Sequence, residues 1–264
     1  MRLLWATDLH LNHAGLAAWD DWLSKVHDAA PDALVITGDI SEGEDVFFQL
    51  QRVVETLDFD VYFVLGNHDF YSASIAATRQ NAKLAARDSR SLCYLSESPP
   101  IELSVDCYLL GVDGWGDATV GDYENSTVRL NDFLLIKDFR RVDPISWPRL
   151  LNDEGNDSAQ RLMSKLAQLP EHCRRVVIAT HVPPFREACW YQGKTTDDNW
   201  APFFVCGQVG DVLRRFANSN PQIEFTVLCG HTHHKGEAEL ANNLRVLTGA
   251  AEYGAPSVEC VLDC

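Results

Sequence analysis

The sequence predicts an α/β fold in which two mixed β-sheets pack together with helices outside. Three observations carry this. Five short apolar runs read as buried strands: Leu3-Leu4-Trp5, Ala33-Leu34-Val35-Ile36, Val61-Tyr62-Phe63-Val64-Leu65, Val176-Val177-Ile178-Ala179 and Phe225-Thr226-Val227-Leu228. Segments of helical spacing alternate with the first three, the pattern of a layered α/β domain. Later segments are richer in strands, which calls for a second sheet.

Taken in order, residues 14–29 follow the first strand with Leu16, Trp19, Leu23 and Val26 on one helical face, and Pro31 ends the helix. Residues 45–57 and 72–86 read as the second and third helices. The stretches 101–105 and 107–112 read as an antiparallel pair. Further helices are expected over 158–169 and 208–218. Strands over 245–247 and 257–262 close the chain. Residues 115–157 show no clear period; they carry Trp115, Tyr123, Trp147, many Asp and Asn, and two prolines. A long irregular stretch in a compact domain is usually functional. It is read as a cap-like insertion at 115–157 within a single domain spanning 1–264.

With 264 residues, 46% of them hydrophobic, the chain can bury one substantial core. No linker or repeat divides it. No apolar run approaches the roughly 18 residues of a membrane span. The first strand starts at Arg2 and leaves no room for a signal peptide. The eight cysteines are scattered without a C-x-x-C pair, as expected of buried free thiols in the cytoplasm. The formal net charge is −16. A field of that sign repels long polyanions and argues against a tight duplex nucleic-acid binder, while leaving room for a small anionic substrate.

The apolar runs are followed, in order, by Asp8-Leu9-His10, Gly38-Asp39, Gly66-Asn67-His68-Asp69, Thr180-His181 and Gly230-His231-Thr232-His233. Strand ends in open α/β sheets are where ligands bind. Imidazoles, carboxylates and one amide brought to a common rim form the ligand set of a metal centre. Mixed nitrogen and oxygen donors suit Mn, Fe or Zn better than Ca.

This order of motifs, from about residue 3 to 250, resembles the calcineurin-like metallophosphoesterases. The resemblance implies two divalent transition-metal ions. Asp8, His10, Asp39 and His233 would hold one, and Asp39, Asn67, His181 and His231 the other, with Asp39 bridging. Two such cations clamp an in-line phosphoryl displacement and bring a bridging water toward ionisation at neutral pH. In the family the position of His68 faces the leaving group as a proton donor. Two carboxylates are candidates to orient it, Glu42 and Asp69, with Glu42 favoured because it follows Asp39 by three residues, where the phosphoprotein phosphatases of this superfamily place an Asp for this task. His13, His27, His172 and His234 fall outside the matched positions.

The phosphoprotein phosphatases of this superfamily carry arginines that are missing from Gly38-Asp39-Ile40-Ser41-Glu42-Gly43 and from Val64-Leu65-Gly66 here. Arginine is the natural bidentate phosphate ligand, so the resemblance points instead to the phosphodiesterase-like branch. The expected function is dinuclear-metal phosphoester hydrolysis of a small soluble substrate, as a phosphodiesterase or phosphatase. The alternatives are a nuclease or RNA-end-processing enzyme, which would need a basic groove, and a non-catalytic scaffold, which would have lost ligands. Basic clusters are few and are pairs rather than stripes (Arg140-Arg141, Arg174-Arg175, Arg214-Arg215), and the ligand set is complete. The aromatic residues Trp115, Trp190, Tyr191 and Trp200 are expected to shape substrate choice.

Overall fold

A computed structural model describes all 264 residues. The strands are β1 (Arg2–Ala6), β2 (Ala33–Thr37), β3 (Asp60–Val64), β4 (Leu92–Tyr94), β5 (Ile101–Ser104), β6 (Cys107–Gly111), β7 (Arg175–Ala179), β8 (Trp190–Tyr191), β9 (Lys194–Thr195), β10 (Glu224–Cys229), β11 (Gly236–Ala241), β12 (Leu244–Thr248) and β13 (Cys260–Asp263). The helices are α1 (Leu16–Ala29), α2 (Asp45–Thr56), α3 (Ile75–Asp88), α4 (Asp132–Leu135), α5 (Lys137–Arg140), α6 (Trp147–Leu166), α7 (Ala201–Phe204) and α8 (Gly207–Ser219).

Two mixed sheets form, as the alternation of elements predicts. The first has the order β13-β1-β2-β3-β4, parallel except for β13; the second has the order β11-β12-β10-β7-β6-β5, with antiparallel strands at both edges. The five apolar runs are the inner strands β1, β2, β3, β7 and β10. Parallel strands covered on both faces read as continuous apolar sequence. Alternate residues of each run fill different layers: Leu3, Trp5, Val35, Val64, Val177 and Leu228 pack between the sheets, Leu4, Ile36 and Phe63 face α1–α3, and Val176, Ile178 and Val227 face α6 and α8.

The region 115–157 differs from the expectation in two respects. Its last quarter is helical: α6 starts at Trp147, eleven residues before the expected position 158. Asn152, Asp153, Gly155, Asn156 and Asp157 all have low helix propensity and hide the period, while Pro148 sits in the first turn, where proline is tolerated. The remainder packs into the main core. Val128, Phe133, Ile136, Phe139 and Leu151 are buried in the same cluster as Leu4, Ile36 and Phe63 on the helix-facing side of the first sheet. Phe133 stacks on Trp147 with ring centroids 4.2 Å apart and meets Phe139 and Phe203 edge-on. Trp115 is 4% exposed, wedged between Phe70 and Phe139. This overturns its expected place among the substrate-facing aromatics; its role is in the core.

The aromatic cluster gives a stability prediction. Phe133→Ala leaves a cavity among three rings and should lower the unfolding free energy by about 3–5 kcal/mol, the cost of truncating a well-packed core phenylalanine. Urea denaturation of the metal-free protein measures it. A loss under about 1 kcal/mol would mean that the segment is a peripheral decoration.

Candidate metal centre

The strands deliver the motif residues to one rim. Asp8, Asp39, His181 and His231 lie two positions beyond the ends of β1, β2, β7 and β10, and Asn67 lies three beyond β3. Asp8, His10, Asp39, His231 and His233 all adopt left-handed backbone, with φ between 42° and 69°. That conformation costs an L-residue roughly 1–2 kcal/mol and persists only where the surroundings over-determine it. Here they do. The Asp8 N–H donates to the Gly38 carbonyl at 3.0 Å, the His10 N–H to the Asp39 carbonyl at 3.0 Å, and the His231 N–H to the Asp8 carboxylate at 3.0 Å. A Cβ on Gly66 would overlap Asp39 Oδ1, and one on Gly230 would overlap Asp8 Oδ2. Only glycine lets these turns close on the carboxylates.

The side chains form two groups that share Asp39. In the first, one donor atom from each of Asp8, His10, Asp39 and His233 lies within 4.8 Å of every other. His10 Nε2 is 3.2 Å from His233 Nε2 and 3.9 Å from Asp39 Oδ2, and His233 Nε2 is 3.4 Å from Asp8 Oδ1. In the second, His181 Nε2 is 3.4 Å from Asp39 Oδ1, 3.1 Å from Asn67 Oδ1 and 3.3 Å from His231 Nδ1, which is itself 2.9 Å from Asn67 Oδ1. The two oxygens of Asp39 thus face different groups.

Hydrogen bonds behind the second group fix which atoms point inward. His181 Nδ1 lies 2.9 Å from the Thr37 carbonyl and His231 Nε2 lies 3.2 Å from the Phe203 carbonyl. A carbonyl only accepts, so these ring nitrogens carry the protons and the inner nitrogens carry lone pairs. Asn67 Nδ2 donates to Asp132 Oδ1 at 2.9 Å, which leaves the amide oxygen facing the histidines. Three lone-pair atoms and a carboxylate oxygen therefore converge with no proton between them. They repel one another unless a cation sits among them. Burial holds His231 well below the usual histidine pKa and His10 down at about 3, so both are neutral ligands at physiological pH. Asp8 and Asp39 are buried, and the only basic side chains within 4.0 Å of their carboxylates are imidazoles. The residues present fit two divalent cations.

The family profile described as calcineurin-like phosphoesterase matches residues 1–235. The chain belongs to the calcineurin-like phosphoesterase family. It is a metal-dependent phosphoester hydrolase. The fold is similar to that of a phosphopantetheinyl hydrolase from Mycobacterium tuberculosis, with a TM-score of 0.71 and 15% identity over 96% of this chain and 89% of that one. It is also similar to a dimetal phosphatase from Danio rerio, with a TM-score of 0.56 and 16% identity over 95% and 87% of the two chains. No curated protein matches the chain in sequence.

Beside the ligand groups of this phosphoesterase stands His68. Its backbone N–H donates to Asp39 Oδ1 at 2.9 Å, and its ring lies 4.8 Å from that of His10 and 4.4 Å from that of Tyr71. Glu42 Oε1 is 3.6 Å from His68 Nδ1 and 3.8 Å from His13 Nε2. Asp69, the other candidate partner, is turned to the backbone. Its Oδ1 accepts the Ile40 and Ser41 amides at 2.9 and 3.1 Å, and its Oδ2 accepts the Gly66 amide at 2.8 Å. With both oxygens engaged it ties the Asp39 turn to the Asn67 turn. Both oxygens are thus spent on the backbone of the motif-bearing loops, whereas Glu42 is the carboxylate near the His68 ring.

Three site residues escaped the sequence reading. Asp132 accepts from Asn67 and also from Tyr71 Oη at 2.8 Å. Tyr253, in the loop before β13, lays its ring 4.4 Å from His10 and 5.2 Å from His233. Phe204, at the end of α7, lies 4.4 Å from His231. None carries a motif; each reaches the site from a turn or short helix distant in sequence. The ligand groups floor a cavity of about 850 Å³ whose walls include Tyr191, Lys194, Trp200, Phe204 and Tyr253.

Because Asp39 faces both groups, Asp39→Asn should weaken both metal positions together. Elemental analysis after dialysis against Mn²⁺ should fall from two ions per chain to fewer than one. Loss of a single ion with the other retained in full would refute the shared carboxylate.

Proposed function

We propose that this phosphoesterase hydrolyses phosphoesters of a small soluble substrate that carries a flat ring. The observation that carries the reading is the division of Asp39 between two ligand groups at the floor of a cavity sized for a small molecule. Asp8, His10, Asp39 and His233 hold one cation, and Asp39, Asn67, His181 and His231 the other. The nitrogen and oxygen donors suit Mn, Fe or Zn. When bound, the cations supply charge neutralisation at the phosphoryl oxygens and an activated water nucleophile.

The protein's own residues do the rest. His68 stands at the rim between Asp39 and Tyr71, where it can deliver a proton to the departing oxygen. Glu42, with Oε1 3.6 Å from Nδ1, is placed to orient the ring from its far side. The cavity walls are aromatic on both sides. Trp200, Phe204 and His231 form a chain of ring contacts from the mouth to the metal ligands, at centroid distances of 5.5 and 4.4 Å. Tyr253 faces His10 across the floor, and Tyr191 stands edge-on to His234 at 4.7 Å. Tyr191 and Trp200 are 59% and 46% exposed. Large aromatics left in water beside a reactive floor suit a ring that stacks on them. A phosphodiester with a cyclic leaving group fits this cleft best.

Among the cavity-lining side chains, Lys194 is the one lysine or arginine, against Asp39, Asp132 and Asp197. That wall gives a nucleic-acid backbone little to bind, and the complete ligand set gives no support to a non-catalytic scaffold. Placement in the cytoplasm is supported by cysteines that are all unpaired, five of them buried. No helix is long and apolar enough to cross a membrane.

Two sets of variants test the reading. His68→Ala should cut kcat by roughly 10²–10⁴ on an ester with a poor leaving group, the range of a positioned general acid, with metal content unchanged by elemental analysis. If the variant loses metal, His68 is a ligand and the assignment is wrong. Tyr191→Ala and Trp200→Ala should each raise KM for aromatic diesters about tenfold, the lower part of the 1–3 kcal/mol range of a ring-stacking contact. Hydrolysis of methyl phosphate esters should stay within a factor of two. A parallel loss on every ester, accompanied by a fall in Tm, would assign these rings to structure.

A further inference from the structure

Asn67 is an unusual ligand, because an amide presents either oxygen or nitrogen according to a rotation that the ligand group itself does not fix. A neutral amide is also the weakest donor of the set. What settles its rotation lies behind it. Asp132 Oδ1 accepts Asn67 Nδ2 at 2.9 Å and Tyr71 Oη at 2.8 Å. Asp132 is 5% exposed, and both bonds are buried. A carboxylate cannot donate, so the arrangement admits only the rotamer with Oδ1 toward His181 and His231.

Asp132 is held in turn by more than the site. It opens α4, whose neighbour Phe133 is locked among Trp147, Phe139 and Phe203. The segment around it is stitched to the loop that follows Asn67. The Ser72 N–H donates to the Leu135 carbonyl and the Lys137 N–H to the Ala73 carbonyl, both at 2.9 Å, and the Ile75 N–H donates to Asp138 Oδ2 at 2.9 Å. Asp132 and Asn67 are therefore carried by two pieces of backbone tied together by these hydrogen bonds.

We propose that Asp132 is the positioning residue that makes Asn67 a metal ligand, and that through it occupancy of the second metal position is coupled to the order of residues 131–140. The inference rests on the two-metal reading above and deepens it. Outer partners of metal ligands characteristically change metal affinity by 10–100-fold. Coupling of this kind is reciprocal: if the ordered segment favours the metal, the metal favours the ordered segment.

The experiment is a Mn²⁺ titration of metal-free protein, followed by calorimetry and by the electron paramagnetic resonance signature of a spin-coupled pair. Wild type must bind two equivalents; if it does not, the two-metal reading fails, and Asp132 is not at issue. Given two, Asp132→Asn should leave the first equivalent within a factor of three and weaken the second by 10–100-fold, with loss of the coupled signal. The substituted amide can donate to Asn67 Oδ1 and turn it away from the metal. Tyr71→Phe keeps the Asp132–Asn67 bond and should weaken the second equivalent less than threefold.

A swap distinguishes positioning from mere packing. Asn67→Asp alone sets two carboxylates against each other and should also weaken the second equivalent. The double variant Asn67→Asp/Asp132→Asn restores a donor–acceptor pair with its polarity reversed, and should recover the second equivalent and the coupled signal. A non-additive cycle of this kind is the mark of a direct interaction. If Asp132→Asn fails to fold, the double variant and Asn67→Asp still form the decisive comparison. The proposal is overturned if Asp132→Asn binds both equivalents as wild type does, or if the double variant binds no better than Asn67→Asp. It also fails if amide hydrogen exchange of residues 131–140 is unchanged when wild type takes up the second equivalent.

Discussion

Asp39 is 1% exposed and turns its two oxygens toward different imidazole groups, His10 on one side and His181 on the other. No lysine or arginine is ion-paired with it. Burial pushes its pKa well above the ordinary carboxylate range, and the nearby charges of Asp8 and Asp69 add to the shift while His181 opposes it. A carboxylate so placed is costly to bury unless positive charge meets it. His10 does not supply that charge, because burial keeps it neutral. The centre is a set of donors folded in advance of the charge that completes it.

The surrounding architecture is what makes such a set tolerable. Five ligand residues sit in left-handed backbone, and each departure is held by hydrogen bonds from a neighbouring turn rather than by its own element. Asp69 carries this furthest: one buried carboxylate accepts three backbone amides from the Asp39 and Asn67 turns. Its cost of burial is met by those donors, and the return is geometric, since the turns bearing Asp39 and Asn67 are tied to one another. The sheets contribute by ending β1, β2, β3, β7 and β10 at one level. In this sense the ligands are placed by strand register, and the second layer of hydrogen bonds only aims them.

How much of this was legible in the chain follows from the range of the interactions. Inner strands were legible because both faces are covered, so their composition alone announces them. Their terminal Asp, Asn and His residues were legible because strand ends fix where a side chain emerges. The helix α6 was only half visible because Asn152, Asp153, Gly155 and Asn156 weaken its local preference, and packing against the sheet and α8 overrides them. The choice between Glu42 and Asp69 turned on which way a side chain points after a tight turn, which spacing does not encode. Asp132 and Tyr253 lie 65 and 243 residues from Asn67 and His10, with no periodic signal at either site. Trp115 shows the converse error: an aromatic in an irregular segment looks like a binding residue, yet its contacts with Phe70 and Phe139 belong to the core.

The charge distribution ties the centre to what can enter it. The chain carries a net −16, and the cavity presents Asp39, Asp132 and Asp197 against the single cation of Lys194. The turns at Gly38–Gly43 and before Gly66 hold no arginine. A phosphoester entering the cavity therefore finds few side chains able to bind its oxygens, and a field that opposes its approach. On the two-cation reading proposed above, phosphate affinity would come chiefly from cations held at the floor, and discrimination among esters would fall to the walls, where Tyr191, Trp200, Phe204 and Tyr253 present faces rather than charges. Such a division separates reaction from selection. The floor is built from strand ends that the fold fixes, and the walls from loops and short helices that can vary without disturbing it. Asp132 is where the two meet: a wall residue of this cavity that also sets the rotation of a ligand in its floor.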